Sequence, residues 1–415
     1  MQNDYTIRVN FKGGLTSPET LHNILKVAKR NHIAVVRFGL RQQLFLHVRH
    51  TLAPRFQEDM TAIGVDFDVD VENHPNIVSS YAAEEVFKSG NWLNETKFKV
   101  LFLAFDYKPK LKINLSDENQ SFSPFFSGHL NFVASKTPDY WHFAVRIPKS
   151  NTVHSFSKLV PDTSVVAVCK TLELFFLNET NTPTIKQVWA LIEQTVGTIP
   201  ANQPLELPDF SLPYYEGFNR YGDKTWLGVY KREENFGIDF LMDICEMCKL
   251  AGVHEICITA WKSIIIKDIA ESFRKDFSNL LAKYNINVRH AANELNWQVE
   301  DDSEDALSLK HELVKSFDKI DLRTFGLCFG IKTKPKTEVF AAIMVRRRYY
   351  NLGGVLPLFY VYDISYTKDF DPNGRTKIYF AEGITKQNLS EQLLRCVHLY
   401  NQQSAENRIV KVGMA

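Results

Sequence analysis

The segment LHNILKVAKRNHIAVVRFGLRQQLFL, residues 21–46, and the segment LMDICEMCKLAGVHEICITAWKSIII, residues 241–266, carry one apolar pattern and align without a gap. Leu21, Ile24, Ala28, Ile33, Val36, Phe38, Leu44 and Leu46 reappear as Leu241, Ile244, Cys248, Val253, Ile256, Ile258, Ile264 and Ile266, a constant shift of 220 residues. Stacked repeats have periods of roughly 20–50 residues, so each copy must belong to a domain-sized half of the chain instead. Two related halves imply a pseudo-two-fold axis, and a site between them is the first place to look.

Outward from these segments, residues 5–11 alternate polar and apolar, and Gly13-Gly14 break the alternation. Ser17 then offers an N-cap, with Pro18 at the first helical position and Glu19 in the first turn. The pattern predicts a helix to about Asn31 and an extended segment over 35–48 in the first copy, answered by a helix over 238–250 and an extended segment over 255–269 in the second. Strand, helix, strand is half of a ferredoxin-like unit. Neither copy has enough strands to cover its own helix, which predicts that the two pair into one composite sheet.

Each half is followed by a longer α/β stretch. Strands are expected over 110–115, 130–134, 141–147 and 164–168, with a closing helix over 185–196. After the acidic run 300–305 come strands over 325–331, 339–345 and 357–363, and a closing helix over 388–400. Pro200, Pro204, Pro208 and Pro213 mark a connection that cannot be helical. The expected fold class is therefore α+β: two ferredoxin-like half-domains forming one composite sheet with pseudo-two-fold symmetry, plus two flanking α/β domains. The boundaries read as 1–90 and 91–199 for the first half-domain and its α/β domain, then 200–285 for the linker and second half-domain, and 286–415 for the second α/β domain.

Forty-nine basic and 48 acidic residues nearly cancel, so no global field favours nucleic acid or an anionic membrane. The start has no apolar run of signal-peptide length and nothing downstream approaches a membrane span, which makes a cytoplasmic location the expectation. Six cysteines in 415 residues form no disulfide framework, in keeping with a reducing compartment.

The run RFGLRQQLFLH places Arg37, Arg41, Gln42 and His47 in a pattern that resembles the signature of the siroheme nitrite and sulfite reductases, with Gly39 and Phe45 where that family usually has Thr and Gln. The run ITAWKSIII, with Thr259, Trp261 and Lys262, is similar to the family's second-half motif. The order half-sheet, α/β, half-sheet, α/β is that family's layout too, so the resemblance covers nearly the whole chain. It implies siroheme or a related tetrapyrrole as cofactor, sulfite or nitrite as substrate, and an anion pocket. The family's Lys-x-Lys of that pocket matches Lys110 and Lys112; its further arginine is replaced by Pro75. Some members are fused to rubredoxin, and this chain resembles those.

Physically, a polycarboxylate ring and an oxyanion substrate both call for converging Arg and Lys donors. Arg37 and Arg41, four apart in a segment expected to be extended, would share one face, and Lys108, Lys110 and Lys112 alternate likewise. Lys332, Lys334 and Lys336 form a parallel set. The bland alternative for such lysines is the solvated face of an edge strand. The anion- or tetrapyrrole-binding candidates are thus Arg37, Arg41, His47, Lys110, Lys112 and Lys262, with no catalytic residue assigned. Arg346, Arg347 and Arg348 read as a solvated strand end, and Gly353-Gly354 as a turn.

The family's [4Fe–4S] cluster needs four thiolates in the second α/β domain. After residue 270 this chain has only Cys328 and Cys396, so no cluster is expected there. Cys245 and Cys248 form a CxxC, but the repeat shift lands them on Leu25 and Ala28, which argues for the core; no metal set is assigned. The reading that follows is a reductase-like redox protein without its cluster that takes electrons from a partner such as a rubredoxin or ferredoxin. The alternative is a non-catalytic anion- or tetrapyrrole-binding or structural interaction module on the same fold.

Overall fold

The computed structural model describes residues 4–413 apart from 85, 88–91, 121, 123–125, 179–181, 290, 292, 323, 325, 336–338 and 351–358. Phe325, Lys336, Gly353 and Gly354 therefore lie outside the described residues. The chain divides into two compact units, the first comprising Met1–Pro208 and Pro213–Ala291, the second Asp209–Leu212 and Ala292–Ala415.

The first half contributes β1 (Asp4–Asn10), β2 (Leu15–Thr16), α1 (Pro18–Arg30), β3 (Val35–Phe38), β4 (Gln43–Arg49), α2 (Ala53–Ala62) and β5 (Asp68–Val69). The Ser17 hydroxyl accepts from the Thr20 N–H at 3.0 Å, the N-cap expected from sequence. Leu21, Ile24, Leu25 and Ala28 are fully buried, at the spacing that gives a helix one apolar face. The helix stops at Asn31, after which His32 takes a left-handed conformation at φ 59°.

Between the halves run β6 (Val78–Ser79), α3 (Glu95–Ala104), β7 (Ile113–Ser116), β8 (Leu130–Ala134), β9 (Tyr140–Arg146), β10 (Val153–Ser155), β11 (Lys158–Pro161), α4 (Val165–Asn178), α5 (Ile185–Thr195) and β12 (Ile199–Pro200). They form a seven-stranded sheet in the order β12-β11-β9-β8-β7-β6, with β10 beside β9. Two expectations change here. Lys110 and Lys112 precede β7 rather than alternating along it, because the Lys112 carbonyl is used by the N–H groups of His129 (2.7 Å) and Leu130 (3.0 Å) in a turn-like crossing. Residues 164–168 open a helix, not a strand: Val165, Val168, Cys169 and Leu172 are all buried at helical spacing, and tertiary packing overrides the β-branched preference of the valines.

The second half contributes β13 (Gly217–Tyr221), β14 (Lys224–Val229), β15 (Phe236–Gly237), α6 (Ile238–Leu250), β16 (Ile256–Ile258), β17 (Ile264–Ala270) and α7 (Arg274–Lys283). Helices α1 and α6 pack on each other, and one core joins Leu21, Ile24 and Leu44 with Leu241, Ile244 and Ile264. The halves do not merge into a single composite sheet. They form two five-stranded sheets, β15-β3-β4-β1-β5 and β13-β14-β17-β16-β2, each edged by a two-residue strand from the other half. Phe236 pairs with Val36 and Thr16 with Ile256, one pairing repeated at the same shift. The exchange stays short because β2 runs directly into the N-cap Ser17 and β15 into the N-cap Gly237, where strand geometry must end.

The segments 35–48 and 255–269 are hairpins, not continuous strands. Gly39 and Gln43 close the first turn (Gln42 N–H to Gly39 O, 2.9 Å), and Thr259 and Ser263 the second (Lys262 N–H to Thr259 O, 3.2 Å). Gln42 and Lys262 hold the left-handed conformation such turns require, at φ 57° and 55°. Arg37 and Arg41 consequently do not share a strand face.

The second unit holds β18 (Trp297–Val299), α8 (Glu304–Asp318), β19 (Phe329–Lys332), β20 (Ile343–Tyr350), β21 (Phe359–Thr367), β22 (Lys377–Ile384) and α9 (Lys386–Gly413). The sheet runs β18-β19-β20-β21-β22, parallel up to β20 and antiparallel thereafter. The acidic run serves as the start of α8, with Ser303 capping Ala306 N–H and Glu304 and Asp305 in the first turn, where the helix dipole favours negative charge. Phe329, Ile343, Val345 and Ile364 on one sheet face pack with Leu313, Leu393 and Val397.

Candidate functional site

The hairpin turn at residues 39–42 is the local structure that decides where the candidate arginine goes. Arg41 is 5% exposed. Its Nη2 donates to the carbonyl oxygens of Asn76 (2.5 Å) and Ile113 (3.1 Å), and its Nη1 to Asn114 Oδ1 (3.3 Å). Asn76 returns the grip: its side-chain amide donates to the carbonyls of Phe11 (2.6 Å) and Arg41 (2.9 Å). The guanidinium is thus a clamp between the hairpin, the 76–78 segment and β7. A charged donor with this many carbonyl partners is strongly held in place.

Lys112 and Arg41 both act on one buried imidazole, that of His129. The Lys112 ammonium pairs with Glu72 at 3.2 Å, and Gln43 Nε2 donates to the other Glu72 oxygen at 3.0 Å. Asn114 donates to Ser127 Oγ (3.1 Å), and Arg146, 8% exposed, donates to the carbonyls of Ser127 (2.9 Å) and Gly128 (3.3 Å). Arg41, Lys112 and Arg146 surround His129, whose Nδ1 accepts the Lys112 backbone N–H at 3.1 Å. Burial foremost, then Arg146, Lys112 and Arg41, push the His129 imidazole down to about 3, against an opposing pull from Glu72. An imidazole that must keep Nδ1 as an acceptor, among three cations, is a neutral one.

This has a consequence in solution. The folded-state value lies below the ordinary 6.5, so the contribution to stability is present above pH 6.5 and is lost as pH falls from 6.5 toward 3. The expected slope is up to about 1.4 kcal/mol per pH unit in that window. Urea unfolding midpoints at pH 7 and 4.5 should separate by less in His129→Gln, which keeps an acceptor but cannot titrate; an unchanged separation would count against the assignment.

The other candidates are placed elsewhere. Arg37 Nε donates to Asn235 Oδ1 at 2.7 Å, and Lys262, 3% exposed, pairs with Glu234 at 2.7 Å, so both hold the turn that leads into β15. The repeat explains this pairing: Lys262 corresponds to Gln42, whose amide packs against Gly14, the counterpart of Glu234. Lys110 has an exposed side chain, and its backbone N–H donates to Glu173 at 2.6 Å. His47 lies half-buried in β4 opposite Thr6.

All six cysteines are buried and unbridged. Cys245 and Cys248 lie in the shared core, as the repeat argument expected, and burial pushes the Cys245 thiol up to about 12. In the second unit Cys396 is a core residue of α9, pushed up to about 12 by burial, and the Cys328 thiol points at the carbonyls of Phe329 and Phe340, both 4.0 Å away. Two thiols so engaged do not fit a cluster that needs four thiolates. Among the described residues, no three His, Cys, Asp or Glu side chains come together as a metal site, and no helix is long and apolar enough to cross a membrane.

His129, Arg146 and Glu72 were not foreseen from sequence. Arg146 ends a strand without any motif, and only the pairing of β8 with β9 brings it beside residues 127–129. A separate cleft of about 610 Å³, lined by Ser135, Lys136, His142 and Glu206 among others, lies under the proline-rich connection and includes none of the candidates.

No family model and no curated relative matches this sequence. Among solved structures, that of the Mycobacterium tuberculosis NirA protein is similar over 93% of this chain and 79% of that chain, with a TM-score of 0.70 and 15% identity. At that identity the likeness speaks for the fold alone, and the chain accordingly has a fold like that of the NirA protein.

Proposed function

We infer that this chain binds an anionic ligand in its first unit, siroheme or a related tetrapyrrole together with a sulfite- or nitrite-class oxyanion, and that its halves preserve the pseudo-two-fold arrangement of a reductase. The observation that carries the reading is the convergence of Lys112, Arg146 and Arg41 around a neutral His129, with Glu72 as the one carboxylate among the groups that act on that imidazole. A bound anion would take over the role of Glu72 toward Lys112. Siroheme, when bound, supplies an iron for electron delivery to the substrate; the residues here hold carboxylates and keep a proton off His129. With no fit for a [4Fe–4S] cluster, electrons would come from a partner such as a rubredoxin or ferredoxin.

One observation favours a second reading, binding without turnover. The Arg41 guanidinium is committed to two carbonyls and an amide rather than turned toward a ligand. The test is titration of the purified chain with siroheme, followed by visible absorption, and with sulfite, followed by calorimetry, for wild type and Lys112→Ala. Saturable binding weakened about 10- to 150-fold in the variant is the expected result, since a hydrogen bond to a charged group contributes about 1.5–3 kcal/mol. Absence of binding to either probe would leave the structural interaction module as the reading. Sulfite reduction with a chemical electron donor separates turnover from binding alone.

A further inference from the structure

The carboxylate that meets Lys112 comes from an edge loop and not from the sheet itself. β5 pairs with β1 through two residues, Val69 with Ile7 and Asp68 with Arg8. Beyond it the chain runs through residues 70–75, where Val71 is 63% exposed and Asn73 is exposed as well. Side chains fix both feet of this loop. Asp70 Oδ1 accepts from the Thr6 N–H at 2.9 Å, and Asp68 Oδ2 accepts from the N–H groups of Asn73 and His74, each at 3.0 Å. Asp70 itself is left-handed at φ 55°, so the backbone turns sharply just before Glu72. Between two exposed neighbours, Glu72 points toward Lys112 and Gln43.

Both Glu72 oxygens are engaged there, one by the Lys112 ammonium and the other by the Gln43 amide. Gln43 is 2% exposed, and its amide also donates to Asn10 Oδ1 at 2.8 Å, which fixes the donor in place. An ammonium on one oxygen and an N–H on the other is the donor set that a ring carboxylate, sulfite or nitrite takes. The pair lies between core and surface, with 17% of the Lys112 side chain and 23% of the Glu72 side chain still wetted. An ion pair in contact with water is screened and opens at little cost. Val71 lies outside the apolar cluster against which Val69 packs, so the loop can turn outward without opening that core.

We propose that Glu72 is a built-in stand-in for the ligand anion: it holds the position between Lys112 and Gln43, and the 70–75 loop must release it before an oxyanion or a ring carboxylate takes that place. The inference rests on the anion-binding reading of the first unit and adds the regulation of that site. A tethered carboxylate competes with free anions at an effective concentration on the order of millimolar. A site that is accessible only in a minor population binds with its affinity lowered by that fraction. The consequence is selectivity. A lone oxyanion meets Glu72 as an equal competitor, whereas a ring with several carboxylates gains contacts that Glu72 does not offer.

The experiment is calorimetric titration of the full chain with sulfate, at pH 7 and constant ionic strength, for wild type, Glu72→Gln, Lys112→Ala, the Lys112→Ala, Glu72→Gln double variant and Glu193→Gln. Glu193 is an exposed carboxylate on α5 that pairs with Lys158 at 2.9 Å, so its variant removes the same charge elsewhere. Sulfate should bind Glu72→Gln at least about tenfold more tightly than wild type, the factor that about 1.4 kcal/mol of lost competition gives. Lys112→Ala should remove that gain, and Glu193→Gln should bind as wild type does. The inference is overturned if Glu72→Gln gains no affinity, if the gain persists in the double variant, or if Glu193→Gln shows it equally. Should Glu72→Gln fail to fold in dilute buffer, refolding in millimolar sulfate but not in chloride of equal ionic strength reports the same occupancy, and refolding in neither overturns it. Siroheme titration keeps the two readings apart. A wild type that takes up siroheme, with no sulfate gain in Glu72→Gln, leaves the anion-binding reading in place and ends this one. Sulfate uptake by Glu72→Gln, in a chain whose wild type binds neither siroheme nor sulfite, supports the stand-in and ends the reading of the wild type as an anion binder.

Discussion

Arg41→Ala should destabilise the protein by about 3–5 kcal/mol, far more than any exposed lysine on the same surface. The alanine takes their shared donor from the carbonyls of Asn76 and Ile113 and removes a donor from Asn114 Oδ1, all at buried positions. Each such buried acceptor costs about 1–3 kcal/mol when it loses its hydrogen bond. Equilibrium urea unfolding followed by tryptophan fluorescence measures the loss, with Lys110→Ala as the comparison, expected within about 0.5 kcal/mol of wild type. A stability change below about 1 kcal/mol, joined to a large loss of sulfite or siroheme binding, would mean that Arg41 serves a ligand and not the fold.

Lys262→Met should cost a similar amount, about 3–5 kcal/mol, for a different reason. Glu234 is 7% exposed and its carboxylate pairs with Lys262 at 2.7 Å; removing the ammonium strands a buried negative charge. Replacing both partners, as Lys262→Met with Glu234→Leu, should recover most of the loss, because the pair's attraction barely exceeds the desolvation of its members. Lys262→Gln should fall between, since it restores at this position the residue type that the first copy holds at Gln42. A double variant no more stable than the single one would show that the pair contributes net stability of its own.

How far these features could be foreseen depends on how local their causes are. The cap at Ser17, the helix after it and the matching helix over 238–250 rest on neighbouring residues and on apolar spacing, and all three were legible. The CxxC was legible as core because the repeat supplied a second view of the same helix. The turn at 39–42 was not: Gln42 and Lys262 adopt φ values usually left to Gly or Asn, and without those residues a hairpin reads as one long strand. The separation into two sheets was equally hidden, since strands 220 residues apart leave no local trace of their register. Of the candidate site, Arg41 and Lys112 were identified, but their roles were not. Whether a guanidinium faces a ligand or a carbonyl is settled by the backbone opposite, here the 76–78 segment and β7. His129 and Arg146 join them through strand pairing alone.

The exchanged strands β2 and β15 set a schedule for synthesis. The first sheet lacks an edge until Phe236 and Gly237 have left the ribosome, and β2 waits for Ile256 and Cys257, so neither half can be completed while the intervening domain is still being made. Domains of newly made proteins generally fold as units from the N-terminus, and contacts that span long stretches of chain slow the search. For well over a hundred residues of elongation the β3 edge and the apolar face of α1 are without their partners. A nascent chain with these features exposes apolar surface of the kind that aggregates, and a truncation anywhere before α6 leaves the first half without the helix that packs on α1.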